Sequence, residues 1–264
     1  MKVGFIGAGN MASAMIGGIL NSKLLSPSNI IASAKTDKTL DSIKEKYEIN
    51  TTKDSVSLVK ECDIVVVAVK PNVYEEVLKQ IKDYIGNEKI IVTIAAGVTI
   101  KSVEEIIGND KKIIRTMPNT PALVNCGMSS LSPNKNICEQ DINAVKTIFD
   151  SFGKSQIVEE SLIDVVIGAS GSSPAYAFMF IEAMADCAVS YGMKREMAYE
   201  FCAQSLMGAA KMVLETKKHP GELKDMVCSP GGTTIEAVRT LEALGFRSSI
   251  IEAMKVCEEK SKSM

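Results

Sequence analysis

Four apolar residues, Val3 to Ile6, run straight into Gly7-Ala8-Gly9-Asn10-Met11-Ala12. A strand that feeds two glycines and then a helix of small residues makes a turn so tight that backbone amides stand bare at the helix start. Bare amides in that position hold anionic oxygens. The pattern therefore reads as a pyrophosphate cradle for a dinucleotide, with alanine in the third glycine position. Methyltransferases use similar loops and a plain tight turn needs the same glycines, but the strand before and the helix after favour the dinucleotide.

The same segment imitates a leader, because Lys2 precedes an uncharged stretch from Val3 to Ser22 that contains Ala12-Ser13-Ala14. Gly4, Gly7, Gly9 and Asn10 interrupt it, so strand, turn and helix are expected and a signal peptide is not. Uncharged runs elsewhere, such as Ile90 to Ile100, fall short of the roughly 18 residues a spanning helix needs. No membrane segment is expected.

Further short apolar runs follow at Ile30 to Ser33, Ile64 to Val69, Ile90 to Ile94 and Ile113 to Arg115, with helical patterns between them. Alternation of that kind builds a mostly parallel sheet. After Glu159-Glu160 the texture changes to long stretches rich in Ala, Met and Leu: Ala175 to Tyr191, Arg195 to Thr216, Thr234 to Leu244 and Ser248 to Glu259. The chain thus divides into an α/β Rossmann-type part at 1–160 and an all-α part at 161–264. Ser173-Pro174 reads as a strong helix start. In the helical part apolar residues such as Ala185, Cys187, Met207 and Met212 occupy more than one stripe, which predicts burial against a second copy of the chain.

Charge and cysteine usage narrow the function classes. Lys plus Arg number 30 and Asp plus Glu 32 among 264 residues, and neither half is basic, so a nucleic-acid or membrane partner is not expected. Seven scattered cysteines without a CxxC pair fit reduced thiols in the cytoplasm and no metal site. His219 is the sole histidine and precedes Pro220-Gly221, which reads as a loop or capping position. Chemistry that needs a His/Asp pair has no material here.

Four loops gather at the carboxyl edge of the expected sheet. Ser33, Lys35 and Thr36 follow the second run, where an NAD-preferring chain would carry an acid for the ribose hydroxyls. A cation with hydroxyls suits a 2′-phosphate, so NADPH is favoured and NADH is the alternative. Asp37 argues the other way, and Lys35 could be only a solvated lysine. Ala68-Val69-Lys70-Pro71 and Ala95-Ala96-Gly97 end two further strands with small or rigid residues that let a flat ring approach backbone. Met117-Pro118-Asn119-Thr120-Pro121 makes a stiff loop with fixed polar groups.

In the helical part, Ser229-Pro230-Gly231-Gly232-Thr233-Thr234-Ile235-Glu236 precedes an amphipathic helix, and Thr233 with Glu236 has capping-box spacing. Two glycines ahead of a helix also expose amides suited to a small carboxylate. An ordinary capped turn is the alternative.

Taken together, FIGAGNMA from Phe5, AVKP from Ala68, AAGV from Ala95, MPNTP from Met117, PAYAF from Pro174, HPGELKD from His219 and SPGGTT from Ser229 resemble the pyrroline-5-carboxylate reductases over nearly the whole chain. The resemblance implies a Rossmann domain followed by a helical dimerisation domain, with homodimers or larger assemblies whose active sites form between subunits. It implies hydride transfer from NADPH to the C=N bond of 1-pyrroline-5-carboxylate, giving L-proline. Ile6, Gly7, Ala8, Gly9, Asn10 and Met11 would cradle the cofactor, Ser33, Lys35 and Ser55 would meet its ribose end, and Ala68, Val69, Lys70, Pro71, Ala95 and Ala96 would border the nicotinamide. Asn119, Ser229, Gly231, Gly232, Thr233 and Thr234 would hold the substrate.

Two departures stand out: the family usually reads GSGPAY where this chain has Gly171-Ser172-Ser173-Pro174, and Asn is frequent where Ser55 stands. A protonated imine is already electrophilic, so positioning does most of the work, and Thr234 is the candidate to hydrogen-bond or protonate the ring nitrogen. Two rivals remain: a β-hydroxyacid dehydrogenase, whose catalytic lysine is missing from Tyr176 to Tyr191, and a non-catalytic NADP(H)-binding redox regulator.

Overall fold

The computed structural model describes residues 1–263. Its contacts separate two compact units, one made of Met1–Ser172 with the residues from Cys257 onward, the other of Ser173–Val256. The sequence reading divided the chain at 160/161; contacts divide it at 172/173 and return the end of the last helix, from Cys257, to the first unit.

The strands are β1 (Val3–Ile6), β2 (Ile30–Ser33), β3 (Asn50–Thr52), β4 (Ile64–Val67), β5 (Ile90–Thr93), β6 (Lys112–Met117), β7 (Gly127–Pro133) and β8 (Gly153–Ile157). They form one sheet in the order β3-β2-β1-β4-β5-β6-β7-β8. From β3 to β6 all pairs are parallel; β7 runs antiparallel to β6, and β8 pairs with it in parallel. The order reverses at β1, which lies between β2 and β4 with Val3 opposite both Ile30 and Ile64. A crevice at the carboxyl ends of β1 and β4 is the consequence.

Helices α1 (Asn10–Asn21), α2 (Asp37–Tyr47), α3 (Ser55–Glu61), α4 (Tyr74–Ile81), α5 (Ile100–Ile107), α6 (Glu139–Asp150) and the short α7 (Ile163–Val166) complete this unit with the end of α12 (Phe246–Lys262). Strand alternation sends Val3, Phe5 and Val66 to one apolar layer with Ile16 and Phe149, and Ile6, Val65 and Val67 to another with Leu78 and Val103. Both faces of the central strands are covered, which is why their sequence is almost continuously β-branched.

Strands β3, β7 and β8 were not expected. Hydropathy does not flag them, because β3 reads Asn-Thr-Thr and β7 buries Ser129, Ser130 and Ser132. Ser132 Oγ donates to the Val158 carbonyl at 2.8 Å, whereas Ser130 Oγ is buried without a hydrogen-bond partner. Strands β4 and β5 are shorter than the apolar runs that announced them; Ala68, Val69 and Ile94 turn off into loops.

The second unit consists of α8 (Ser173–Ser190), α9 (Arg195–Thr216), α10 (Pro220–Val227), α11 (Thr233–Ala243) and α12 as far as Val256. It is all helical, as expected, and α10 is an addition to the expected set. Two features precede it. α8 opens at Ser173, as the sequence predicts, but helical geometry already starts at Ile163 and passes through a π-helical turn at Ile167–Gly171, whose two glycines hide it from the sequence. Within the helical stretch Glu160–Ser190 an 18-residue window reaches a mean hydropathy of 1.2, enough by length and composition alone to pass for a membrane span. Little of it is buried within this chain.

Around the two passages between units, Cys257 Sγ donates to Ser172 Oγ at 3.2 Å and Ser261 Oγ to Asp164 Oδ1 at 2.6 Å.

Candidate active site

At the switch point lies a cleft of about 540 Å³ lined by Ile6, Gly7, Ala8, Gly9, Ser33, Lys35, Ser55, Ala68, Val69 and Lys70, all of them foreseen, with Lys53, Val73, Glu76, Val77 and Gln80 in addition. Clefts of similar size occur elsewhere. One, lined by Leu25, Ser26 and Pro27, lies just before β2, at the amino-terminal strand ends where such sheets do not bind ligands.

Gly7 has φ +98°, and a Cβ there would stand 2.6 Å from the Ala68 carbonyl oxygen. Only glycine fits. A Cβ on Gly9 would meet nothing within 4 Å, so the space above it is open. Gly9 is the N-cap of α1, without a side-chain cap and with no acid in the first turn. Free amides facing an open cradle at a helix start fit a pyrophosphate, so the residues present fit a dinucleotide. Asn10 borders a smaller adjoining pocket, while Met11 packs partly into the core.

The rim is organised by hydrogen bonds. Ser33 Oγ and Ser55 Oγ lie 3.1 Å apart, joining β2 to the start of α3. The Tyr74 hydroxyl donates to the Val67 carbonyl and accepts from the Ile94 amide at 3.3 Å, so one buried phenol ties the loops leaving β4 and β5. Burial pushes the phenol well above its ordinary pKa, against the Ile94 and Ala95 amides that hold it down, and it stays protonated. Pro71 opens a 3₁₀ turn, and Ala95 is buried while Ala96 is half-buried just past β5. Asn119 is buried with its amide spent inside the fold: Nδ2 donates to the Ser170 carbonyl at 3.0 Å and Oδ1 accepts from the Met128 amide at 2.8 Å. It braces the π-helical turn.

In the helical unit, Gly231 has φ +68° and Gly232 is the N-cap of α11. The expected capping box is corrected here. Thr233 is the first helical residue and caps nothing, Gly232 offers no side chain, and Glu236 is engaged by Arg239, whose Nε lies 3.1 Å from Oε2. A Cβ at Gly232 would stand 2.4 Å from Ser229 Oγ and 3.2 Å from the Ser229 carbonyl oxygen, so a larger residue there would have to turn the serine aside. The first-turn amides of α11 therefore remain open, with half-buried Thr234 among them. That arrangement suits a small carboxylate. His219 caps α10, its Nδ1 accepting from the Gly221 amide at 3.0 Å. Among the described residues no His, Cys, Asp and Glu group could hold a metal.

The family model for pyrroline-5-carboxylate reductase dimerisation matches residues 160–264, and one described as NADP oxidoreductase, coenzyme F420-dependent, matches 2–97. The pyrroline-5-carboxylate reductase of Escherichia coli is 49% identical over 263 residues, covering all of this chain and 98% of that one. The chain belongs to the pyrroline-5-carboxylate reductase family. Solved pyrroline-5-carboxylate reductases superpose closely: that of Coxiella burnetii has a TM-score of 0.93 at 33% identity, covering 99% of this chain and 97% of that one. The Plasmodium falciparum enzyme, solved with NADP bound, has a TM-score of 0.89 at 34% identity, covering 100% and 97%.

Proposed function

We propose that this chain reduces 1-pyrroline-5-carboxylate to L-proline with NADPH, NADH being the alternative, as an NAD(P)H-dependent oxidoreductase acting on a C=N bond. The observation that carries the reading is full-length identity to a reductase of that name, joined to a dinucleotide cradle in one unit and an uncapped helix start in the other. Bound NADPH would supply the hydride to the imine carbon. Ile6 to Met11 hold the pyrophosphate end, Ser33, Lys35 and Ser55 the ribose end, and Ala68 to Pro71 with Ala95 and Ala96 the wall beside the ring. The Tyr74 hydroxyl keeps that wall in place.

Ser229, Gly231 and Thr233 present amides and a hydroxyl to the substrate carboxylate, while Gly232, whose own amide donates to the Ser229 carbonyl at 3.0 Å, shapes the turn that holds it. Thr234, the second residue of α11, hydrogen-bonds the ring nitrogen or delivers its proton. Asn119 acts as a positioning residue through Ser170 and Met128. The helical unit leaves Phe178, Met179 and Phe201 exposed, and the dimerisation family model covers it, which supports a homodimer or larger homo-oligomer. We assign 1–160 to cofactor binding and 161–264 to dimerisation and substrate binding. Seven free cysteines support the cytoplasm.

The test follows NADPH and NADH absorbance in parallel with 1-pyrroline-5-carboxylate and identifies the product. Oxidation with proline formed supports the reading; binding of NADPH without turnover overturns it in favour of a regulator. Thr234→Ala is expected to lower kcat/KM by roughly 10 to 100 fold, and unchanged kinetics would remove Thr234 from its role.

A further inference from the structure

Strands β2 and β3 are parallel neighbours in the register Ser33 to Thr52. The residues that follow them leave the sheet side by side, Ala34-Lys35 from one and Lys53 from the other, with the Ala34 amide donating to the Thr52 carbonyl at 3.4 Å. Both lysines line the cofactor cleft with Ser33 and Ser55. Each ammonium rests on a carboxylate: Lys35 Nζ is 3.1 Å from Glu76 Oε1, and Lys53 Nζ is 2.7 Å from Asp37 Oδ1. Glu76 lines the same cleft from α4, and Asp37 opens α2. All four side chains are more than half exposed, and ion pairs so exposed are weak and easily exchanged.

We propose that Lys35 and Lys53 form a two-lysine clamp for the 2′-phosphate of NADPH, with Lys53 as a specificity-determining residue, and that Glu76 and Asp37 are the counter-ions the clamp releases as the phosphate arrives. The inference rests on the NADPH reading above and deepens it. A phosphate monoester carries close to two negative charges at neutral pH and three acceptor oxygens, whereas each carboxylate carries one charge. Two ammoniums delivered from adjacent strand ends match that dianion, and one alone does not. NADH brings no phosphate, so both ion pairs persist and Glu76 stands at the cleft as an acceptor for ribose hydroxyls. The same rim thereby serves both cofactors, and Lys53 sets their ratio.

The experiment measures dissociation constants of NADPH and NADH for the full-length protein by the change in nicotinamide fluorescence, in wild type, Lys53→Ala, Lys53→Arg and Glu76→Gln. Wild type is expected to prefer NADPH. Lys53→Ala should weaken NADPH about tenfold while NADH moves less than about twofold, and Lys53→Arg should restore most of the loss. The preference should shrink as salt is raised roughly tenfold. Glu76→Gln should tighten NADPH and weaken NADH, raising the ratio. If wild type prefers NADPH and Lys53→Ala retains the full preference, the clamp is overturned and the NADPH reading stands. A wild type that does not distinguish the cofactors overturns both. Should Lys53→Ala lose both cofactors alike, Glu76→Gln decides, since an unchanged ratio there overturns the exchange of counter-ions.

Discussion

The two units of this chain solve burial in opposite ways. In the sheet-bearing unit every residue of β1 and β4 is buried, and α1 alone buries Ala12, Ala14, Met15, Ile16, Gly18 and Ile19. In the helical unit the buried hydrophobic residues are Ala185, Ala198 and Leu223, although α8 and α9 are the longest helices among the described residues. A helix apolar on several faces yet open to water within its own chain is an unfinished surface. The first unit carries its own core, whereas the second awaits one from a second copy.

Breaking that contrast is the most forceful test. Phe201→Asp places a charge on a side chain that is 63% exposed in the single chain, so a self-sufficient helical unit would not notice it. The expected result is the opposite: light scattering falls from an oligomer to the 28.4 kDa chain, and the helical circular dichroism signal melts earlier. An unchanged mass would return the helical unit to independence.

A core truncation in the sheet-bearing unit should instead act without regard to protein concentration. Phe149 is 1% exposed and its ring lies 5.3 Å from that of Phe152. Phe149→Ala is expected to cost about 3 to 5 kcal/mol in urea unfolding. A midpoint that shifts with dilution would mean that this unit, too, leans on association.

Acid should also strike the sheet-bearing unit first. Partial burial works to raise the pKa of Asp141, but the Lys112 hydrogen bond and the Cys138 amide outweigh it and hold the carboxyl below its ordinary value; Lys146 and Ser155 do the same for Asp150. A carboxyl depressed in the folded state contributes stability above its unfolded pKa of about 4, and that contribution is lost as pH falls through the folded value. Urea midpoints should be level from about pH 7 to 5 and drop below about pH 4, with a smaller drop in Lys112→Met. A drop of equal size in that variant would detach Asp141 from the effect.

Thiol labelling offers the mildest probe. Burial, then the charge of Glu61, pushes the Cys62 thiol up to about 12, so it stays neutral and unreactive, while Cys126 and Cys138 are exposed and should label. Cys187 is exposed in the single chain. Protection of Cys187 in wild type, relieved in Phe201→Asp, would place it under the second copy; equal labelling in both would exclude that.

Much of this was legible in the sequence because apolar periodicity and glycine spacing carry the signal. Val3 to Ile6 with Gly7 and Gly9 announced the cleft, and SPGGTT announced the open start of α11. What stayed hidden was polar structure. Strand β3, Asn-Thr-Thr, offers no hydropathy cue, and with it Lys53 went unnoticed although it ends beside Lys35. The strands β7 and β8 hide behind buried serines such as Ser132 and Ser155, whose hydrogen bonds only a fold supplies. The capping box failed for a different reason, since Thr233 and Glu236 have the right spacing but Gly232 occupies the cap and leaves the amides free.

The chain leaves the sheet-bearing unit after Ser172 and rejoins it at Cys257. The helical unit is therefore an excursion rooted twice in the same place, like a bight in a rope. One protease nick within it liberates no domain, because each fragment keeps its own root, and separation requires cuts at both. Helices in the excursion can lengthen, shorten or be exchanged over evolutionary time at small entropic cost, provided the two roots keep their spacing.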